Sequence, residues 1–228
     1  MPNVHQLEVI AYECSRIYED TLILYFADQR SEAHGQELSH KETKDLVNWS
    51  DTITDVSFPV YTMRPGMPVV TQLPTGDYIY VYEWGGAPIF NDYRFPIYYR
   101  IAKDPRKFAN ATDMYINATN TDIFPNNSPN VVWTPVGGEK GTIVVSSYLK
   151  YVYANRELGD PDSWVAYDVP EEGAYTRNLR IMEEDPDYLL IMGAGKLPPS
   201  TTNKVTVSMI KVSEMLRKPV GGCKKRKH

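Results

Sequence analysis

Four stretches of the chain repeat one pattern of apolar and polar positions: "RIYEDTLILYFAD" (16–28), "VVTQLPTGDYIYVYE" (69–83), "VVWTPVGGEKGTIVVSS" (131–147) and "NLRIMEEDPDYLLIMG" (178–193). Each reads as a short apolar strand, a turn rich in Gly, Pro or acid, and a second strand of four or more apolar or aromatic residues. The second strands end at Asp28, Glu83, Ser147 and Gly193, which stand 55, 64 and 46 residues apart. After each hairpin comes a further strand or strand pair: "QELSHKETKDLVNW", "PIYYRIAKDPRKF", "KYVYANRELGDPDSW" and "KVTVSMIKV". A hairpin with outer strands is a four-stranded unit. Recurrence at roughly 50 residues is the spacing of β-propeller blades, whereas strands of a β-sandwich recur every 8–12 residues or so without that longer period. The pattern therefore predicts an all-β fold, a β-propeller of four-stranded blades with about four blades in this chain. Residues 1–216 are assigned to the propeller and 217–228 to a basic flexible tail. Four blades are few for a closed ring, so the expectation is a piece of a larger propeller or one with an atypical first blade.

Composition is that of an ordinary globule long enough to bury a core: 228 residues, 42% hydrophobic, 23% charged, with 17 Tyr that suit strands and an aromatic lining. The net charge of −5 argues against a general affinity for nucleic acid. The one basic run, Lys224 to His228, follows Gly221-Gly222 and reads as a frayed end. Two cysteines, Cys14 and Cys223, make neither a disulfide framework nor a metal-ligand spacing. No apolar run reaches the ~18 residues of a membrane span, and no leader pattern precedes the first strand, so no membrane association is expected and any export signal lies outside this chain. Four Asn-x-Ser/Thr sequons, at Asn48, Asn110, Asn117 and Asn126, are glycosylation candidates that favour an exported protein.

In a propeller, polar residues at the ends of inner strands and in the loops after them converge on one mouth of the channel. Those places hold Asp28-Gln29-Arg30 with "EAHGQ" (32–36), "YTMRPGMP" (61–68), Glu83-Trp84-Gly85-Gly86 and "YTRNLR" (175–180). Taken singly, Asp28 and Arg30 read as a salt bridge across a turn and Arg64 as a cap on a neighbouring blade. Recurrence at equivalent places favours a glycoside cleft, in which aromatics stack on sugar faces and charged groups bond hydroxyls. Glycosidic hydrolysis commonly needs two carboxyl groups flanking the bond. Glu83, an acid at the end of a strand that otherwise reads as buried, supplies one; Glu13, Glu19 and Asp28 are the acids near the first blade.

The motifs "ADQRSEAHGQELSHKETKDLVNW", "YTMRPGMPVVTQLPTGDYIYVYEWGGAP", "FPIYYRI", "VVWTPVGGEKGTIVVSS", "YTRNLRIM" and "LPPSTTNKVTVSMI" together resemble the fungal exo-arabinanases of glycoside hydrolase family 93, from about Tyr25 to Val212. "TKDLVNW" and "GDPDSW" also resemble the Asp-box turn of sialidase-like propellers. The family resemblance implies a six-bladed, sialidase-like propeller that is secreted, acts as a monomer when complete, and needs no metal or cofactor. It also implies release of arabinobiose from linear α-1,5-linked arabinan, a plant cell-wall polymer, with retention. "YEWGG" matches the family's "YEYGG", which makes Glu83 the nucleophile. The family's acid/base lies in a "W-E-P-F"-like segment; this chain reads "VIAYECSRIYEDTL" there, and Glu13 is the nearest acid. Asp28, Arg30, His34, Arg64, Trp84, Tyr175 and Arg177 fall in matching motifs and are expected in the substrate pocket, Trp84 by stacking on a sugar ring or by packing between blades. Two rivals stand beside this reading. One is a non-catalytic sugar-binding propeller without the proton donor; the other is a sialidase-type hydrolase, disfavoured because its three-arginine carboxylate clamp is not spelled out.

Overall fold

In each repeat the turn chemistry closes a hairpin and the strands that follow extend it into a sheet. The computed structural model describes residues 14–31, 35–58, 64–85, 95–123, 125–147, 151–169, 176–196 and 203–221. In blade 1, β1 (Cys14–Tyr18) and β2 (Thr21–Ser31) meet at a tight Glu19-Asp20 turn, and β3 (Gly35–Thr43) and β4 (Ile53–Val56) complete an antiparallel sheet in chain order. Blade 2 is β5 (Arg64–Gln72), β6 (Tyr78–Gly85), β7 (Ile97–Ala102) and β8 (Met114–Tyr115). Blade 3 is β9 (Val131–Thr134), β10 (Thr142–Ser146), β11 (Tyr151–Asn155) and β12 (Trp164–Asp168). Blade 4 shows three strands among the described residues, β13 (Thr176–Ile181), β14 (Tyr188–Lys196) and β15 (Asn203–Lys211), followed by the short helix α1 (Val212–Met215). The β9–β10 turn needs its last glycine. Gly141 has φ +69°, and a Cβ there would lie 2.3 Å from the Thr134 carbonyl oxygen.

The first strands of successive blades run against one another, β1 on β5, β5 on β9 and β9 on β13, so they line the inside of the arc. This arrangement explains why "YIYVY" is apolar at every position rather than at alternate ones. Tyr78, Tyr80 and Tyr82 face blade 1, in a core with Ile23, Tyr25 and Leu38. Ile79 and Val81 face blade 3, in a core with Val131, Ile143 and Val145. A blade with neighbours on both sides buries both faces of its sheet. Blade 3 does the same, with Val144 and Val152 turned to Leu189 and Ile191 of blade 4.

The two end blades differ. Ile17, Leu46, Val47, Trp49 and Ile53 of blade 1 and Val205, Val207 and Met209 of blade 4 are exposed large hydrophobics. Each end blade therefore has one packed face and one apolar face without a neighbour among the described residues.

One turn recurs between the third and fourth strands. Asp45, Asp104 and Asp160 each accept a hydrogen bond from the main-chain N–H two residues on, from Val47 at 2.9 Å, Arg106 at 3.0 Å and Asp162 at 3.2 Å. Four residues after each Asp stands an aromatic: Trp49, Phe108 and Trp164. Phe108 is fully buried between blades 1 and 2, stacked on Tyr80 at 4.7 Å. Trp164 is fully buried between blades 2 and 3, where its indole N–H donates to the Tyr99 hydroxyl. In both cases the aromatic fills the gap toward the preceding blade. Arg100 secures the first of these gaps by donating to the Asp55 and Phe108 carbonyls and pairing with Asp113.

Residues 217–221, assigned from sequence to the tail, include a strap tied to blade 3. Pro219 bridges Tyr167, the Val220 N–H donates to the Ala166 carbonyl, and the Asn120 amide donates to the Val220 carbonyl. The basic run Lys224 to His228 lies outside the described residues. No described helix is long and apolar enough to cross a membrane.

Candidate active site

Glu83 ends the row of β6 residues that face blade 3. Ile79 and Val81 precede it on that face, so the strand that buries them carries the acid in with them: Glu83 is 6% exposed. Gly66 of β5 stands opposite it on one side and Ile97 of β7 on the other. The contact from the segment leading into blade 3 is made by main chain. The Ser128 N–H donates to Glu83 Oε2 at 3.0 Å.

Burial pushes the Glu83 carboxyl above its ordinary value, while the Ser128 N–H and the charge of Arg64 pull the other way. The β5 strand is shaped to leave the acid room. At Gly66 a Cβ would lie 3.1 Å from Glu83 Oε1 and 3.4 Å from Gln36 Nε2, and the register shifts immediately afterwards, with Met67 at φ 52°. Gln36 reaches over from blade 1 and donates to the Pro65 carbonyl at 2.5 Å. Residues of blades 1 and 2 and of the segment leading into blade 3 thus meet around one carboxylate.

The other candidates fall as follows. Arg64 opens β5 opposite Gly85, with its side chain exposed and its charge felt by Glu83. Trp84 points to the opposite face of β6 from Glu83; it is half-buried, stacks on Phe58 at 4.5 Å and meets Tyr98 edge-on at 4.7 Å. Asp28 is half-buried near the end of β2, paired with Glu37 just before a register shift. Arg30 lies in β2 within that shift, and Arg177 lies in β13 opposite Gly193. Glu13, His34 and Tyr175 lie outside the described residues. Of the sequons, Asn48, Asn110 and Asn117 are exposed, whereas Asn126 is half-buried beside the Glu83 site. Among the described residues no group of three or more His, Cys, Asp or Glu could hold a metal ion.

Sequence reasoning missed Ser128, Gly66, Gln36 and Asn126 as parts of this site. Only a sequon marked Asn126 and Ser128, while Gly66 and Gln36 lay, not singled out, within stretches placed at the channel mouth.

Four-stranded blades stacked along an inner row of first strands, with a buried carboxylate closing a second strand, define a β-propeller. Solved structures place it further. The chain matches an α-L-arabinofuranosidase of glycoside hydrolase family 93 from Fusarium graminearum, in complex with arabinobiose, at 46% identity and TM-score 0.83, covering 90% of this chain and 58% of that one. It matches an α-L-arabinanase from Penicillium chrysogenum, also complexed with arabinobiose, at 42% identity and TM-score 0.83, covering 89% and 57%. An exo-β-1,3-galactanase from Clostridium thermocellum, at 16% identity and TM-score 0.57, shares the fold. No family model and no curated protein sequence matches the chain. The chain belongs to glycoside hydrolase family 93, and it spans about 58% of the length of these relatives.

Proposed function

We propose that this chain is the larger part of an exo-acting glycosidase that removes arabinobiose from linear α-1,5-linked arabinan with retention, exported from a fungal cell and related in architecture to sialidases. The observation that carries the reading is Glu83: a buried carboxylate in the "YEWGG" motif, at the blade end where a propeller opens its cleft, in a chain more than 40% identical to two proteins that hold arabinobiose. Glu83 serves as nucleophile. Burial raises its energy as an anion, and the Ser128 N–H and Arg64 keep the ionised form accessible.

A retaining reaction needs a second carboxyl group roughly 5–5.5 Å from the first, which protonates the leaving oxygen and then activates water. Glu13 is proposed for it. Arg30, His34, Arg64, Tyr175 and Arg177 are proposed to bind arabinose hydroxyls, and Asp28 to hold their charge in place.

The test is incubation of the purified chain with linear α-1,5-arabinan, with products sized by chromatography. Arabinobiose as the first product supports the reading; absence of product from a folded chain supports a sugar-binding propeller instead. Gly66→Ala gives a second check. A methyl 3.1 Å from Glu83 Oε1 must displace the carboxylate or be displaced. Shifts of this order cost catalysis far more than stability, so turnover is expected to fall by roughly ten- to a hundredfold while the thermal midpoint changes by a few degrees at most.

A further inference from the structure

We propose that Asn126, with the Ser128 main-chain N–H it sets in place, is a positioning residue for the Glu83 carboxylate, so that the segment leading from blade 2 into blade 3 holds the acid from outside its own blade. The inference rests on Glu83 being the reacting acid. The segment is unusual in its backbone: Asn127 has φ 60° and Ser128 φ 52°, two consecutive non-glycine residues in the left-handed region. Such conformations are strained for residues other than glycine and persist where the surroundings enforce them.

The surroundings here are specific. Asn126 Oδ1 accepts from the Phe95 N–H at 2.6 Å, Asn126 forms an isolated bridge with Pro96, and the Asn127 N–H donates to the Phe95 carbonyl at 2.8 Å. The Trp84 N–H in turn donates to the Pro96 carbonyl at 2.8 Å. The 95–96 segment is therefore a splint, with Trp84, next to the acid, on one side and Asn126 on the other. With the splint in place, the strained pair turns the Ser128 N–H onto Glu83 Oε2. Ser128 is 1% exposed, so this N–H has no water to bond to if the acid moves away. Arg64, from β5, is the charged group whose field acts on the same carboxylate.

The experiment follows Glu83 itself. The full chain is labelled with glutamate ¹³C at the side-chain carboxyl, the Glu83 resonance is assigned by its loss in Glu83→Gln, and it is titrated in wild type, Asn126→Ala and Asn126→Asp. All three are compared without a glycan, and both substitutions remove the sequon. Without the N–H, the anion loses a stabilising bond, and the Glu83 midpoint in Asn126→Ala moves to higher pH; Asn126→Asp keeps an acceptor for Phe95 but adds a negative charge whose own field raises the midpoint, so it serves as the control for folding of the segment and not as a rescue. On arabinan the acid limb of kcat/KM moves up with the titration and KM stays unchanged. A folded Asn126→Ala chain with the wild-type midpoint overturns the proposal. If Asn126→Ala does not fold, the α-hydroxy analogue of serine at position 128, which replaces the N–H by an ester oxygen, is titrated instead and read by the same rule. A chain that makes no arabinobiose overturns the functional reading while the titration still decides this one.

Discussion

Glu83→Gln is expected to lower turnover on α-1,5-arabinan by roughly a thousandfold or more while leaving the chain folded and, near neutral pH, more stable than the wild type. The two effects have one cause. Glu83 is buried, and burial raises its pKa above the ordinary glutamate value despite the Ser128 N–H and Arg64. For a carboxyl whose folded pKa is raised, the native state holds the proton more tightly than the unfolded chain does. Its stabilising contribution is complete below the unfolded value of about 4.3 and is lost as pH rises through the folded value, so the ionised acid is a burden on the fold at neutral pH.

Glutamine removes the charge and keeps an acceptor for the Ser128 N–H. The difference between variant and wild-type unfolding free energies should therefore grow as pH rises from about 4 toward 7 and then level off, by about 1.4 kcal/mol for each unit separating the folded and unfolded pKa values. The wild-type rate should show an acid limb above the ordinary glutamate range. A variant that retains turnover sinks the nucleophile assignment. One that loses turnover but gains no stability at any pH sinks the account of what burial does to this carboxylate.

How far such a site is legible in sequence depends on which part of the residue makes the contact. The four blades were readable because hairpin turns announce themselves through Gly, Pro and acid, and because a strand sandwiched between two blades loses its alternation, as "YIYVY" does. Glu83 was readable for the same reason, as an acid closing a strand with two apolar faces, a place that Asp28 shares in the first repeat. Ser128 was not, because it acts through its main-chain N–H, which every residue but proline has, across 45 positions of chain. Gly66 acts by having no side chain opposite the acid. Trp84 sits one residue from Glu83 and so must face the other way, a consequence of strand geometry that motif matching alone leaves open. The Asp104 to Phe108 turn lay within a quoted repeat, yet its likeness to the Asp45 and Asp160 turns emerges only when all three are seen between third and fourth strands.

Those turns give the second large effect, a contrast between two tryptophans in equivalent places. Trp164→Ala is expected to cost about 3–5 kcal/mol, because it empties a fully buried site between blades 2 and 3 and leaves the Tyr99 hydroxyl without the indole donor. Against a total stability of about 5–15 kcal/mol, and at roughly 2–4 °C per kcal/mol for a chain of this size, the thermal midpoint should fall by about 6–20 °C. Trp49→Ala, at the same place in blade 1, should cost about 1 kcal/mol or less. Trp49 is 38% exposed and, among the described residues, has no preceding blade to fill against. Comparable losses for the two would mean that the aromatic stabilises its own turn, which both blades possess. Unequal losses in the stated order would mean that it works as a wedge between blades, worth what the facing blade lets it bury. Its energy then belongs to the stacking of blades, and Ile17, Leu46, Val47 and Trp49 together mark where blade 1 has apolar surface ready to be stacked upon.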